Sequence, residues 1–551
     1  MIYQDVLLIA LGVAQCLLLE RFAVRSEKNI SSLSKLCWLI PSVTALVIML
    51  NIGFEPLMAG AYLGCAGLAA GFFREDVKSR RITSAVCAAV MLISVPCCLL
   101  SDAYRARHDF TGDFKKAVSS MRLYYPLTQH KDIDFDALYE KYIPEFRKAD
   151  KDRDEVENYI AWARFCAEFH DGHVGYAPND EDTVREACKR AGGNDYGLVI
   201  LKLSDGSFTA VNVDDSLANK GIHLGTQIIS WNGETPDKAD ERSTLAQMEN
   251  IPDADNAEFH KGMFAAGTGG DTAELTFIAD DGSEQTVTLP KLGGCYYDRF
   301  EEMGKKLYQG YEAAHMSVTK INDTTAVLRV KSMVYDSVSA SKDNHTGMKL
   351  ELRDKVRTMM DEGVTDIIID IRSNGGGSGD MTEAIASLFA PEGEHYYVTN
   401  ALWDDKKGCY ATDGKGGYLP DDDIVFSGDN ILGENGRIVL LVNDHSASAS
   451  DHLTKVMSSF DNVTVMGFTG PNGSAQGVCS KQLTEGTLNY SGSVMLDRDG
   501  SIFIDSGKDR QSTDDTGVKI PLDSKAIQAI FADGQDYLLN CAIEEIASHK
   551  G

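Results

Sequence analysis

Two patterns of hydrophobic positions divide this chain. At the amino-terminal end the apolar residues come in four unbroken runs, Val6–Leu19, Leu36–Ile52, Leu57–Phe73 and Ile82–Leu100. As a helix the last run would span roughly 28 Å, enough for the hydrocarbon core of a bilayer. Four such runs joined by short polar loops predict a membrane anchor with four transmembrane helices over residues 1–104. Arg21, Arg25, Lys28 and Lys35 lie between the first two runs, and Arg74, Lys78, Arg80 and Arg81 between the last two. Basic loops stay on the cytoplasmic side, so both ends of the anchor are predicted to face outward. The expectation is a multi-pass, membrane-embedded protein whose part after Ser101 is extracytoplasmic.

Beyond residue 108 the period changes. Phe114–Tyr124, Phe135–Ala149 and Val156–Glu168 carry apolar residues at helical spacing, with Asp134 and Asp150 near the expected helix ends. They predict a helical module over 108–190. It runs into Phe169-His-Asp-Gly-His-Val-Gly-Tyr176, where Gly172 breaks the helix just before His173. A histidine on such a turn is suited to act as a general base.

From 191 to 292 the pattern alternates. Tyr196–Lys202 and Phe208–Val213 flank the Asp205-Gly206 turn, and Ala273–Ile278 and Gln285–Leu289 flank Asp281-Gly282. Between them lie a short helix closed by Gly221 and the strand starting at Gln227. This predicts a small β domain. From 293 to 551 apolar strands alternate with helices: Asp366–Arg372 before Met381–Phe389, then Ile438–Val442 before Leu453–Phe460, then Val463–Gly467. Such alternation predicts an α/β core.

The candidate chemistry lies in the loops after these strands. Asn443-Asp-His-Ser-Ala-Ser-Ala-Ser-Asp451 joins a strand to a helix through small residues. There the chain can turn sharply and present one hydroxyl at the helix start. The N–H groups and dipole at that end favour a developing negative charge. Ser373-Asn-Gly-Gly-Gly-Ser-Gly379 also joins strand to helix but lacks the Gly-Lys-Ser/Thr ending of a nucleotide loop, which disfavours ATP. A net charge of −29 argues against nucleic acid as a partner. None of the 12 cysteines forms a CxxC pair, and no Glu or Cys completes a metal shell around His170 and His173, so no metal is expected. The cysteines beyond the apolar runs could pair in an oxidising compartment, with the pairing left open.

Three strand-to-loop units carrying Asp370-Ile-Arg-Ser-Asn-Gly-Gly-Gly377 and Ser446-Ala-Ser-Ala-Ser-Asp451 resemble the tail-specific and tricorn-core serine peptidase family over most of residues 108–540. Within it, Gly221-Ile-His-Leu-Gly-Thr-Gln-Ile-Ile-Ser-Trp-Asn-Gly233 resembles a PDZ domain. The implied fold is an α/β peptidase core of ββα repeats over 293–551, a PDZ-like domain over 191–292 and the helical module, following the membrane anchor. The implied activity is a membrane-anchored serine endopeptidase that hydrolyses extracytoplasmic peptides or proteins through an acyl-enzyme, without a cofactor.

Carried over by this resemblance, Ser448 is the nucleophile, and the backbone N–H groups of Ala449 and Gly376 bind the oxyanion. Ser446 and Ser450 become packing residues. The tail-specific branch has a lysine base where this chain has Asn472, with Gln476 four residues on. The tricorn-like branch takes its base from an Asp-Gly-His setting, which points to His173. The orienting acid falls on Asp514, with Asp515 its competitor. His452, one helical turn past Ser448, is the rival base, and His445 also lies near it in sequence. The PDZ resemblance assigns peptide binding to Tyr196, Gly197, Leu198 and Val199. The alternative reading is a catalytically inactive peptide-binding or sensing protein on the same fold.

Overall fold

The chain was analysed as a computed structural model, which describes residues 109–309, 316–334, 344–507 and 517–548. Its centre is a six-stranded sheet in the order 518–519, 463–467, 438–441, 366–370, 325–330, 316–320. All neighbours in it are parallel except the last pair. The middle strands Asp366–Asp370 and Ile438–Leu441 are buried at every position. Ile367–Ile369 and Ile438–Leu441 are consecutive apolar residues because helices cover both faces of a parallel sheet. Ile367, Ile369, Ile438 and Leu440 pack into one cluster with Leu352, Ile385 and Leu453 from the helices Asn344–Asp361, Gly379–Phe389 and Ala449–Ser458. Their neighbours Ile368, Val439 and Leu441 face the other way, onto Leu538, Ala542 and Ile546 of the helix Tyr537–Ser548. Side chains on a strand alternate between faces, so one strand serves two cores.

The alternating segment forms an antiparallel five-stranded sheet in chain order: 199–202, 208–211, 227–231, 272–278, 284–290. Its core of Tyr196, Ile200, Trp231, Leu275 and Phe277 is closed by Tyr296 and Met303 of the helix Tyr296–Leu307. Leu522, Ala526 and Ile527 from near the end of the chain join that core.

Three helices, Phe110–Tyr124, Phe135–Asp152 and Glu155–Ala167, build a third core around Phe114, Phe146, Trp162 and Phe165. Asp134 caps the second helix through the N–H groups of Asp136 and Ala137. Asp150 holds the start of the first, accepting from the N–H groups of Phe110 and Thr111 at 2.8 Å. Leu483, Leu488 and Tyr490 of a distant hairpin complete this core. The strand Gly175–Pro178 pairs with that hairpin, Tyr176 opposite Leu488. The segment just after His173 is thereby fixed to residues 486–489.

The fold expectation requires one correction. Among the described residues no helix is long and apolar enough to cross a membrane. The fold they support is mixed α/β, so the four-transmembrane-helix fold class and the multi-pass, membrane-embedded location are set aside. The runs Val6–Leu19, Leu36–Ile52, Leu57–Phe73 and Ile82–Leu100 lie outside the described residues.

Trp162 is wholly buried and stacks on Tyr176 with ring centroids 4.7 Å apart. Trp162→Ala opens a cavity there and is expected to destabilise the fold by about 3–5 kcal/mol, measured by denaturant unfolding. The loss should be accompanied by loosening of the following His173 turn.

Candidate active site

Open parallel sheets place their variable loops, and commonly their ligands, at the carboxyl ends of the strands. Three such loops meet here. Residues 371–378 follow the strand Asp366–Asp370, 442–448 follow Ile438–Leu441, and 468–477 follow Val463–Gly467.

Ser448 sits immediately before the helix Ala449–Ser458 with φ 57° and ψ −112°. That backbone is costly for a residue with a Cβ and persists only where surroundings impose it. The surroundings are visible. The Ala447 N–H donates to the Asn374 carbonyl at 2.9 Å, and the Ser450 hydroxyl donates to the same oxygen at 2.9 Å. The Ser446 hydroxyl donates to the Ile371 carbonyl at 2.8 Å. Ser446 and Ser450 are buried and bonded into the scaffold. Ser448 is half-buried and makes no capping bond.

Gly376 lies against this turn with φ 92°. A Cβ there would come within 2.5 Å of the Ala447 carbonyl oxygen and 2.8 Å of Ser448 Cβ. Only glycine fits so close an approach in that conformation. Its N–H donates to Asn374 Oδ1 at 3.0 Å. Ala449 is the first residue of its helix, a position whose N–H has no intrahelical acceptor. Ser448 and Ala449 open onto a cleft of about 450 Å³, walled by Tyr397, Val398, Ile424 and Met495 with Asp380 and Glu383 on one side.

His173 reaches this region from the helical module. Its turn is pinned from several directions. Asp171 accepts from the His173 N–H at 2.9 Å and from the Tyr125 hydroxyl at 2.9 Å. The Gly172 N–H donates to Ser474 Oγ at 2.8 Å. The Asn250 amide donates to the Val174 carbonyl at 2.8 Å. Buried Lys131 donates to the carbonyls of His170 and Ser506, each at 2.9 Å, and lies 3.2 Å from Asp505. Burial lowers the His173 pKa; Asp171 works against this and Lys131 adds to it. The ring is therefore neutral at pH 7, the state a base requires. Neither ring nitrogen has a hydrogen-bond partner, so no Ser448–His173 hydrogen bond is formed in this structure.

Asn472 stands where the Gly172 turn meets the serine loop. Its N–H donates to the Ser446 carbonyl at 2.8 Å and its amide to the Asp444 carbonyl at 3.2 Å. Gln476 Oε1 accepts from the Met495 N–H at 2.6 Å. His452 is wholly buried, its Nε2 2.8 Å from the Ala475 carbonyl. That contact makes Nε2 a donor, leaving it unable to take a serine proton. Burial, helped by nearby His173 and Lys455 against the Ala475 carbonyl, brings the pKa of His452 down to about 4. His445 is exposed and packs edge-on against Tyr308, with ring centroids 4.6 Å apart. Asp514 and Asp515 lie outside the described residues.

The residues assigned to peptide binding lead into the first strand of the β unit, Val199–Lys202. Tyr196, Leu198 and Val199 are fully buried, and the Gly197 N–H donates to Asp195 Oδ1 at 2.8 Å. Sequence reading also missed Lys131, Asn250, Asn374, Ser474 and Asp505. Each is an ordinary polar residue whose importance comes from a chain-distant partner. The six described cysteines are all free, and no metal-binding cluster is found among the described residues.

Residues 324–508 match the model of peptidase family S41. No curated protein matches the chain. Among solved structures, mature CPAF is similar at 13% identity, covering 77% of this chain and 94% of that one, with a TM-score of 0.48. The photosystem II D1 C-terminal processing protease is similar at 14% identity, covering 78% and 98%, with a TM-score of 0.32. The tricorn protease is similar at 14% identity, covering 75% and 34%, with a TM-score of 0.30.

Two outcomes are expected from this geometry. Gly376→Ala should destabilise the protein by roughly 2–4 kcal/mol, read by thermal or urea unfolding, because the methyl group meets a carbonyl oxygen and φ is unfavourable. His452 should weaken the fold in acid. Unfolded histidine protonates near pH 6.5 and this one only near 4, so falling pH between those values favours the unfolded chain. The loss is on the order of 3 kcal/mol, and His452→Phe should flatten that part of a stability–pH curve.

Proposed function

From the premise that this chain carries a peptidase family S41 domain and is a serine-type peptidase, we propose that Ser448 is its nucleophile and His173 its general base. The observation that carries this reading is the strained turn at Ser448. It is held by Asn374 and Gly376 at the carboxyl ends of the parallel strands and opens onto the cleft.

In the proposed reaction the neutral His173 imidazole takes the Ser448 hydroxyl proton as Oγ attacks the peptide carbonyl carbon. The carbonyl oxygen becomes an oxyanion beside the Ala449 N–H at the helix start, where the dipole favours it. The Gly376 N–H joins only if its bond to Asn374 Oδ1 is exchanged for the substrate oxygen. The imidazolium then protonates the leaving amine. Water, deprotonated by the same imidazole, releases the acyl group. Because the Ser448–His173 bond is not formed here, substrate binding draws the two together, as catalytic hydrogen bonds often tighten only in the complex. Asp171 faces His173 and favours the imidazolium, while Asp514 is the proposed orienting acid.

The five-stranded β unit is proposed to present an extended peptide in PDZ fashion. The supporting feature is a groove of about 570 Å³ lined by Lys202 and Ser204 at the edge strand, by Glu258 and Phe259 of the helix Ala254–His260, and by Phe468 and Ile520 of the core. An exposed strand edge adds a peptide through backbone hydrogen bonds. Extracytoplasmic peptides or proteins were the expected substrates; peptide or protein is the class retained.

Ser448→Ala should abolish labelling by a fluorophosphonate probe followed by peptide mass spectrometry, with folding intact. His173→Gln should slow labelling and peptide hydrolysis by about 10²–10⁴-fold, whereas Asn472→Ala should leave most activity. The pH profile of kcat/KM should rise with pH along a limb set by His173, lying below the ordinary histidine value near 6.5 because burial disfavours its charged form. Wild-type protein that takes no label at Ser448 would instead fit a binding protein on a peptidase fold.

A further inference from the structure

A third buried histidine lies behind the serine loop, on the side facing the β unit. His260 ends the helix Ala254–His260, whose Glu258 and Phe259 line the peptide groove. Its Nδ1 is 3.0 Å from Glu249 Oε1 and its Nε2 is 2.5 Å from Asp444 Oδ2. Asp444 also accepts from the Tyr308 hydroxyl at 3.2 Å. Its own N–H donates to Thr469 Oγ1 at 2.9 Å, and its carbonyl accepts from Asn472. Asp444 therefore belongs to the loop that carries Ser448, and it is bonded on both sides to the strand-end loop 468–477.

Both ring nitrogens of His260 face carboxylate oxygens. Two N–H donors to two acceptors require the imidazolium, because a neutral ring offers one donor only. Burial alone would lower its pKa, but Glu249 and Asp444 outweigh burial and raise it well above the ordinary value. Burial raises the Asp444 pKa, but His445 and His260 outweigh this and bring it down to about 2. The other titratable groups acting here are Tyr308, His445 and Asp240, the last a buried carboxyl near Glu249 and His260. Asn256 of the same helix adds a neutral tie, donating to the Pro471 carbonyl at 2.7 Å.

We propose that His260 is a positioning residue, whose imidazolium bridges Glu249 and Asp444 and ties the groove helix of the β unit to the loop that sets Ser448. This rests on the reading of Ser448 as nucleophile and of the groove as the peptide site. Breaking one side of a buried ion pair leaves an uncompensated charge, so loss of the proton loosens the serine loop. Helix and nucleophile loop then share one bond network, and a peptide seated against Phe259 bears on the elements that hold Ser448.

The test uses the full chain, a fluorophosphonate probe and hydrogen exchange read by mass spectrometry. In wild type, exchange in the peptide covering Asn443–Ser448 should stay low from pH 6 to 9. The labelling rate should show no alkaline fall in that range. His260→Gln should raise exchange in that peptide and slow labelling about ten- to hundredfold, with little pH dependence of either effect. Glu249→Gln removes one carboxylate, so His260 loses its proton at lower pH. That variant should match wild type near pH 6 and acquire an alkaline fall in labelling with a matching rise in exchange. A merely structural role would not produce that pH-dependent change.

Unchanged exchange and unchanged pH profiles in folded Glu249→Gln would overturn the proposal, whether or not His260→Gln folds. If wild type takes no label at Ser448, the functional reading fails. The exchange data still decide the clamp, which stands if Glu249→Gln loosens the loop at high pH and falls if it does not.

Discussion

Asn374 is the constraint on which the site depends. Its side-chain amide donates to the Val330 carbonyl at 2.9 Å, and its Oδ1 accepts from Gly376. Its own carbonyl accepts from the Ala447 N–H and the Ser450 hydroxyl. One wholly buried residue thus fixes the glycine loop to the neighbouring strand and the serine turn to the glycine loop. Buried polar groups must be satisfied or they cost about 1–3 kcal/mol each. Each of these bonds therefore excludes alternative loop conformations as well as stabilising this one. The positive φ at Ser448 persists because relaxing it would break bonds on both sides of the turn.

The same logic explains how the His173 turn of the amino-terminal module is held against the loops of the core. No single strong contact brings it there. Asp171, Lys131, Asn250 and Ser474 each make ordinary bonds, and the strand Gly175–Pro178 adds a ladder. Loop closure over so long a separation is entropically unfavourable but grows only logarithmically with length. Several modest bonds and one shared hydrophobic core, with Leu483 and Leu488 packed among the helices, are enough to hold it.

How much of this was legible depended on whether the signal was local. The strand Ile438–Leu441 was readable because burial on both faces demands an unbroken apolar run. The strand–serine–helix junction was readable because a sharp turn selects small residues. The helix starting at Ala449 extends further toward the serines than its apolar pattern suggested, since Ser450 and Asp451 are buried by tertiary bonds rather than by hydrophobicity. Asn374, Lys131 and Asp505 were not readable. A buried asparagine or lysine looks like a surface one until its chain-distant partner is known. Asp195 was hidden for the same reason: it accepts from the Gly197 N–H and pairs with Arg299, a residue far along the chain.

Three buried histidines lie around one serine loop, and their surroundings set each apart. His452 touches a carbonyl, Tyr397 and Phe503, and, buried, stays neutral to about pH 4. His260 bridges two carboxylates and keeps its proton. His173 stands between these cases: burial lowers its pKa, while Asp171, bonded to the backbone of the same turn, offsets part of that effect. An imidazole with a carboxylate nearby but none on its ring nitrogens is neutral at rest and supported once charged. Of the three environments, that of His173 alone suits a group that must take a proton and then give it back.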